Sequence, residues 1–168
     1  RKLAGECGSV TLAPIRVACV EVVVENRKGC PPYTHSAHGL DVDFLQCVPV
    51  PDAIRISRLR LHNPGKKTRK LSITGYVQWA LGPNGSTTAP TVVTACDADP
   101  GAVLACNAWR PEFNERVAFY DMGGAQQSCS GDRAGLFGRY GSLQSPACDG
   151  VLDGRVGAGL DPCAALRT

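Results

Sequence analysis

The sequence has no apolar run of about 18 residues, the length a helix needs to cross a bilayer, so no spanning helix is expected. It is poor in aromatic side chains, at 6%, which argues against a broad platform for stacking sugar rings. No window repeats apolar residues at a sustained helical period between caps, so helix content should be low. Neither sign of charge dominates: 18 Lys and Arg stand against 15 Asp and Glu, a net +3, and the two signs are interleaved. That balance excludes the basic stripe of a nucleic-acid binder, and the cluster Lys66, Lys67, Arg69 and Lys70 reads as solvation of a turn. There is no C-x-x-C and no G-x-S-x-G, and His35 and His38 lack a third ligand at a recognisable spacing, so neither a metal nor a cofactor is expected. The glycine cluster of residues 154–159 is followed by Leu160-Asp161-Pro162 rather than by a helix, which tells against a phosphate cradle. Methionine is limited to Met122, and the chain opens on Arg1, so the expectation is a segment excised from a longer polypeptide.

What is present is turn chemistry. The 19 Gly and 12 Pro in 168 residues divide the chain into short elements, with 43% hydrophobic residues to fill one core, and residues 1–168 read as one domain. The nine cysteines are an odd number, and Cys19, Cys47 and Cys106 occupy places that valine, alanine or serine would fill. Reduced cysteine packs as a small hydrophobe, which points to free thiols in a soluble, cytosolic domain.

The apolar pattern has the period of strands. Leu71, Ile73, Gly75, Val77, Trp79 and Leu81 alternate with Ser72, Thr74, Tyr76 and Gln78, giving one wet and one dry face. With Asn63-Pro64-Gly65 as a type II turn, residues 54–81 read as one long β-hairpin whose first arm is covered on both faces. Leu40, Val42, Phe44, Gln46 and Val48 alternate with Asp41, Asp43, Leu45 and Cys47, and residues 10–25 form a β-branched run in which 15–24 read as one strand. TVVTAC and AVLAC flank a DADPG turn, RVAFYD follows, and residues 122–168 read as an irregular, glycine-rich segment in which SLQSPACDGVL has room for one helical turn. Roughly seven to nine short strands with polar turns imply an all-β, antiparallel β-sandwich.

No catalytic constellation emerges from the residues alone. Glu112, Glu115, Asp132, Asp149, Asp153 and Asp161 are available for acid/base work, but spacing does not reveal a pair, and aspartate beside glycine or proline is more often a turn residue than a catalyst. The stretch of greatest chemical interest is residues 131–139, GDRAGLFGR, which sets Asp132, Arg133 and Arg139 in a glycine-rich loop beside Leu136 and Phe137. Arginine offers paired donors to hydroxyls, carboxylates or phosphates, so a substrate contact and an Asp–Arg pair that merely pins the loop both remain open. A stand-alone sugar-binding module would need Trp79, Trp109, Tyr120 or Tyr140 on one surface. A secreted immunoglobulin-like domain with Asn84-Gly85-Ser86 as a glycosylation acceptor is opposed by the odd cysteine count.

The succession YTHSAHGLDVDFLQCVPVPDAIRISRLRLHNPGKKTRKLSITGYVQWALG, NAWRPEFNERVAF, SGDRAGLFGRYGSL and GRVGAGLDPCAAL resembles the β-sandwich region of cyclic β-1,2-glucan synthases. The resemblance implies a galactose-mutarotase-like supersandwich that precedes an (α/α)6 barrel in a cellobiose-phosphorylase-like part. It implies a parent inner-membrane enzyme that builds cyclic β-1,2-glucan from UDP-glucose, with this part controlling chain length. It also implies dimer contacts, and a D-R-x-x-F-[LI]-G-R loop lying towards the sugar. Asp132, Arg133, Gly138 and Arg139 match that loop, whereas Leu136 and Phe137 stand in the reverse apolar order. The general acid of such phosphorylases belongs to the barrel, so no catalytic residue is expected in this chain. The implied partners are β-1,2-glucan, the barrel and a second copy.

Overall fold

The computed structural model describes residues 15–17, 20–22, 33–37, 39–49, 52–99, 101–109, 111, 114–142, 146–148 and 150–168. Cys7, Cys19, Cys30, His38, Glu112, Asp149, the turn expected before Tyr33 and part of SLQSPACDGVL lie outside them. The described residues form eleven strands in antiparallel sheets, two very short α-helices and one 3-10 turn (Ala89–Thr91), and they fall into two compact units, residues 12–71 and essentially residues 72–168.

In the first unit the β-branched run is two strands rather than one. β1 (Ile15–Val17) and β2 (Val20–Val22) pair antiparallel with Ile15 opposite Val22. A second sheet has β3 (Tyr33–Ala37), β4 (Leu40–Cys47) and β5 (Ile56–His62) in that order. β4 alternates as its sequence predicts: Leu40, Val42 and Phe44 are buried, with Asp41 and Asp43 between them on the opposite face. Leu59 and Leu61 of β5 pack on Leu40 and Val42.

The long hairpin does not form. β5 pairs with β4, while the expected second arm, β6 (Thr74–Gln78), belongs to another sheet. The reversal after β5 is an Asx turn rather than type II. The Gly65 N–H donates to Asn63 Oδ1 at 3.2 Å, Asn63 Nδ2 donates to the Lys67 carbonyl at 2.8 Å, and Gly65 has no positive φ. Nor is the first arm covered on both faces, since Ile54 and Ile56 are 37% and 49% exposed.

The second unit is a sandwich. After β6 a single turn, α1 (Gly85–Thr88), is capped by Asn84, whose Oδ1 accepts from the Ser86 N–H. There follow β7 (Val92–Cys96), β8 (Val103–Asn107) and β9 (Val117–Tyr120), a meander that matches the expected strands, with Gly101 at φ 85° in its first turn. The segment expected to be irregular supplies β10 (Ser128–Asp132), α2 (Arg133–Phe137) and β11 (Pro162–Arg167). β11 runs between β10 and β6 in a three-stranded sheet that lies against β7 and β8.

β11 is buried on both faces. Ala164 and Leu166 meet Trp79, Val92, Val103 and Ala105 between the sheets, while Cys163 and Ala165 face Leu136, Phe137 and Leu152. At about 1.5–3 kcal/mol for each fully buried large side chain, these two clusters are the main source of stability in this unit. Seclusion also raises the Cys163 thiol: burial, then Asp132 and Asp161, push it up to about 12.

A candidate ligand-facing corner at β10 and α2

α2 exists because its two ends are specified. Asp132 leaves β10 with extended backbone, and its Oδ1 accepts from the Ala134 N–H at 3.1 Å, a side-chain N-cap. Gly138, at φ 65°, ends the turn with its N–H on the Ala134 carbonyl. Between them Leu136 and Phe137 turn inward, 4% and 2% exposed, and the Tyr76 ring meets Phe137 edge-on at 5.0 Å. A Cβ at Gly135 would lie 2.6 Å from the Asp153 carboxylate, so a larger residue there would turn that exposed side chain aside.

Charged groups converge on this corner from two chain segments. The side chain of Asp132 is 5% exposed, and its Oδ2 lies 3.0 Å from an Arg155 guanidinium nitrogen. Arg133 is paired with Asp161 at 3.6 Å and stands 5.1 Å over the Phe137 ring. The Tyr76 hydroxyl is buried without a well-formed hydrogen bond among the described residues. Its pKa is raised, chiefly by burial and then by Cys163, with the Arg133 guanidinium offsetting part of the rise. Arg139 is exposed and sits 6.0 Å over the ring of Tyr140, which is 92% exposed.

The partner of Asp132 is therefore Arg155 rather than Arg133 or Arg139. Asp132, Arg133 and Arg139 share one short element, but each guanidinium has its own neighbour. Arg155 and Asp161 come from the glycine-rich stretch that reads as turns, and their role is set by pairing. The Gly154 N–H donates to the Cys129 carbonyl, the Gly131 N–H to the Arg155 carbonyl, and the Thr94 N–H to the Gly157 carbonyl. Residues 154–157 are thus a strap laid along β10 and across to β7, which delivers Arg155 to Asp132. The only legible sign of this was the match of that stretch to a family motif.

The first unit has a second polar locus, described by itself. Thr34, Ser36, Asp41, Asp43, Arg60 and His62 line an open groove of about 460 Å³ on the wet side of the β3–β4–β5 sheet. Asp41 accepts from Ser36 Oγ at 2.6 Å and contacts His62 Nδ1 at 3.3 Å. The Ser36 bond, followed by that of His62, holds its carboxyl below the usual range. His35 lines the same groove, and among the described residues no group of three or more His, Cys, Asp and Glu is arranged to hold a metal.

Comparison with known proteins decides the family. The family described as glycosyl hydrolase 94, supersandwich domain, matches residues 2–168. The chain belongs to the glycosyl hydrolase 94 supersandwich family. A curated relative, the cyclic beta-(1,2)-glucan synthase NdvB of Rhizobium meliloti (strain 1021), is 30% identical over 132 residues. That alignment takes in 77% of this chain but 5% of the relative, so the glycosyl hydrolase 94 supersandwich domain spans a small part of that protein's length. Its antiparallel sheets and scarce helix agree with the all-β sandwich read from the sequence. Among the described residues no helix is long and apolar enough to cross a membrane.

Proposed function

We propose that this chain is the β-sandwich module of a cyclic β-1,2-glucan synthase, non-catalytic by itself. In this reading it folds as one domain, scaffolds an (α/α)6 barrel of the same polypeptide, and touches glucan with the corner at α2. The parent would transfer glucosyl units from UDP-glucose and control glucan length at the inner membrane, with this module on the cytoplasmic side. Family membership and the NdvB relative support the parent.

The observation that carries the module's role is the engagement of Asp132. One of its oxygens caps α2 and the other is held by Arg155, so the most buried carboxylate of the corner is spent on positioning. Arg133 is likewise tied to Asp161, and the groups left facing outward are Arg139 and Tyr140. A guanidinium over an aromatic ring, fixed at the end of a capped turn, suits a polyhydroxyl chain or an anionic group such as phosphate. Edge strands such as β5 and β9 offer a second copy a route to pair across a sheet.

A charge-assisted contact contributes about 1.5–3 kcal/mol, so Arg139→Ala in the parent polypeptide should weaken glucan handling roughly 10- to 100-fold. Because Arg139 is exposed, the melting temperature should stay within about 2 °C of the original. Unchanged glucan affinity and product length in that variant would remove the corner from the sugar path.

The second reading, a stand-alone carbohydrate-binding module, is favoured by Trp109 and Tyr140, which are 55% and 92% exposed. It is opposed by Trp79, buried in the sandwich core, and by Tyr120, half-buried against that core. Tryptophan fluorescence during titration with β-1,2-glucan separates the two, since a stand-alone binder would saturate at micromolar glucan through Trp109.

A further inference from the structure

The two sheets of the sandwich approach each other at a pair of sulfurs. Cys96, the last residue of β7, is exposed, and Cys129, in β10, is half-buried. Their Sγ atoms lie 3.0 Å apart, about 1 Å beyond the ~2.05 Å of a disulfide bond. The residues around them are held independently. Cys129 is registered opposite Leu166 of β11 and accepts from the Gly154 N–H, and Asp97, next to Cys96, donates to the Ala102 carbonyl. The sulfurs thus meet because two backbones fixed by other bonds deliver them. A contact of this kind needs little rearrangement to become covalent.

We propose that Cys96 and Cys129 form a reversible dithiol–disulfide pair that locks β7 to β10 when a low-molecular-weight disulfide is the oxidant.

The two thiols differ in a way that sets the order of steps. Burial, followed by the hydrogen bond with Cys96, pushes the Cys129 thiol up to about 12, so it stays protonated while Cys96 meets solvent. Cys96, as thiolate, attacks one sulfur of R–S–S–R, breaking that bond, forming Cys96–S–S–R and releasing RS⁻. The departing thiolate takes the Cys129 proton, and the Cys129 sulfur attacks Cys96, which releases the second RS⁻ to pick up a proton from solvent. Two electrons pass from the pair to the small disulfide, which leaves as two thiols. The tie would close the segment between Cys96 and Cys129 and fasten the β7–β8–β9 sheet to the sheet that carries Asp132 and α2.

The test is to equilibrate the whole chain in buffers of reduced and oxidised glutathione, quench with acid, alkylate, and map cysteines by mass spectrometry. Cys96 and Cys129 should leave the alkylated pool together as the buffer becomes oxidising and reappear as one cross-linked peptide, reversed by dithiothreitol. The melting temperature should rise by about 5–10 °C on oxidation. Cys129→Ser should trap Cys96 as its glutathione adduct, and Cys96→Ser, a change at an exposed position, should leave Cys129 reduced throughout. Alkylation of both residues in the most oxidising buffer, a stable glutathione adduct on Cys96 in the original chain, or pairing of either with another cysteine would overturn the proposal.

Discussion

Replacing Phe137 with alanine should lower the unfolding free energy by about 3–5 kcal/mol, which in a chain of this size is a fall in melting temperature of roughly 6–20 °C. Phe137 is 2% exposed and fills the space between α2 and the outer face of β11, against Tyr76, Leu152, Cys163 and Ala165. Neither alanine nor cysteine on β11 has the reach to refill that space, so the cavity should persist. The lesion also loosens α2, which places Arg139. Urea denaturation of the variant should show the lower midpoint with a nearly unchanged slope. A loss below about 1 kcal/mol would mean that α2 is not packed as described.

Replacing Asp132 with alanine should cost about 2–3 kcal/mol. Removing an N-cap costs around 1 kcal/mol, and loss of the Arg155 pair adds a similar amount. The usual figure for a buried pair is reduced here because the Arg155 side chain is 58% exposed and regains water. Asp132→Asn separates the two contributions. Asparagine caps about as well as aspartate but carries no charge, so this variant should recover about half of the loss. Equal destabilisation by both variants, measured by thermal melts at neutral pH, would assign the whole effect to the ion pair.

How far the chain could be read depended on which signal each element left in the sequence. β4 was legible because Leu40, Val42 and Phe44 face a core while Asp41 and Asp43 face a groove, so burial on one face wrote itself as alternation. β7, β8 and β9 were legible because local turns join them. β11 was not: with Ala164 and Leu166 on one buried face and Cys163 and Ala165 on the other, it carries no alternation at all. The misreading of residues 54–81 has the same root. Alternation and Asn63-Pro64-Gly65 announced strands and a turn, but pairing is a long-range choice, and β6 chooses β11, with Gly75 opposite Leu166.

At the corner, Asp132, Arg133 and Arg139 were recognisable as three charges in a loop otherwise made of glycine and apolar residues. Arg155 and Asp161 were not, because nothing local distinguishes a charged residue in a glycine turn from one carried to a partner more than twenty residues away in sequence. The strap hydrogen bonds from Gly154 and Gly131 make that assignment, and only the folded chain contains them.

The role proposed for this glycosyl hydrolase 94 supersandwich domain is to position and contact sugar while the bond-making groups lie elsewhere. The direct measurement is to incubate the purified chain with β-1,2-glucan and inorganic phosphate and to assay sugar phosphate. The account predicts no release above that of a heat-inactivated sample. Phosphate-dependent release that rises in proportion to the amount of chain would contradict it.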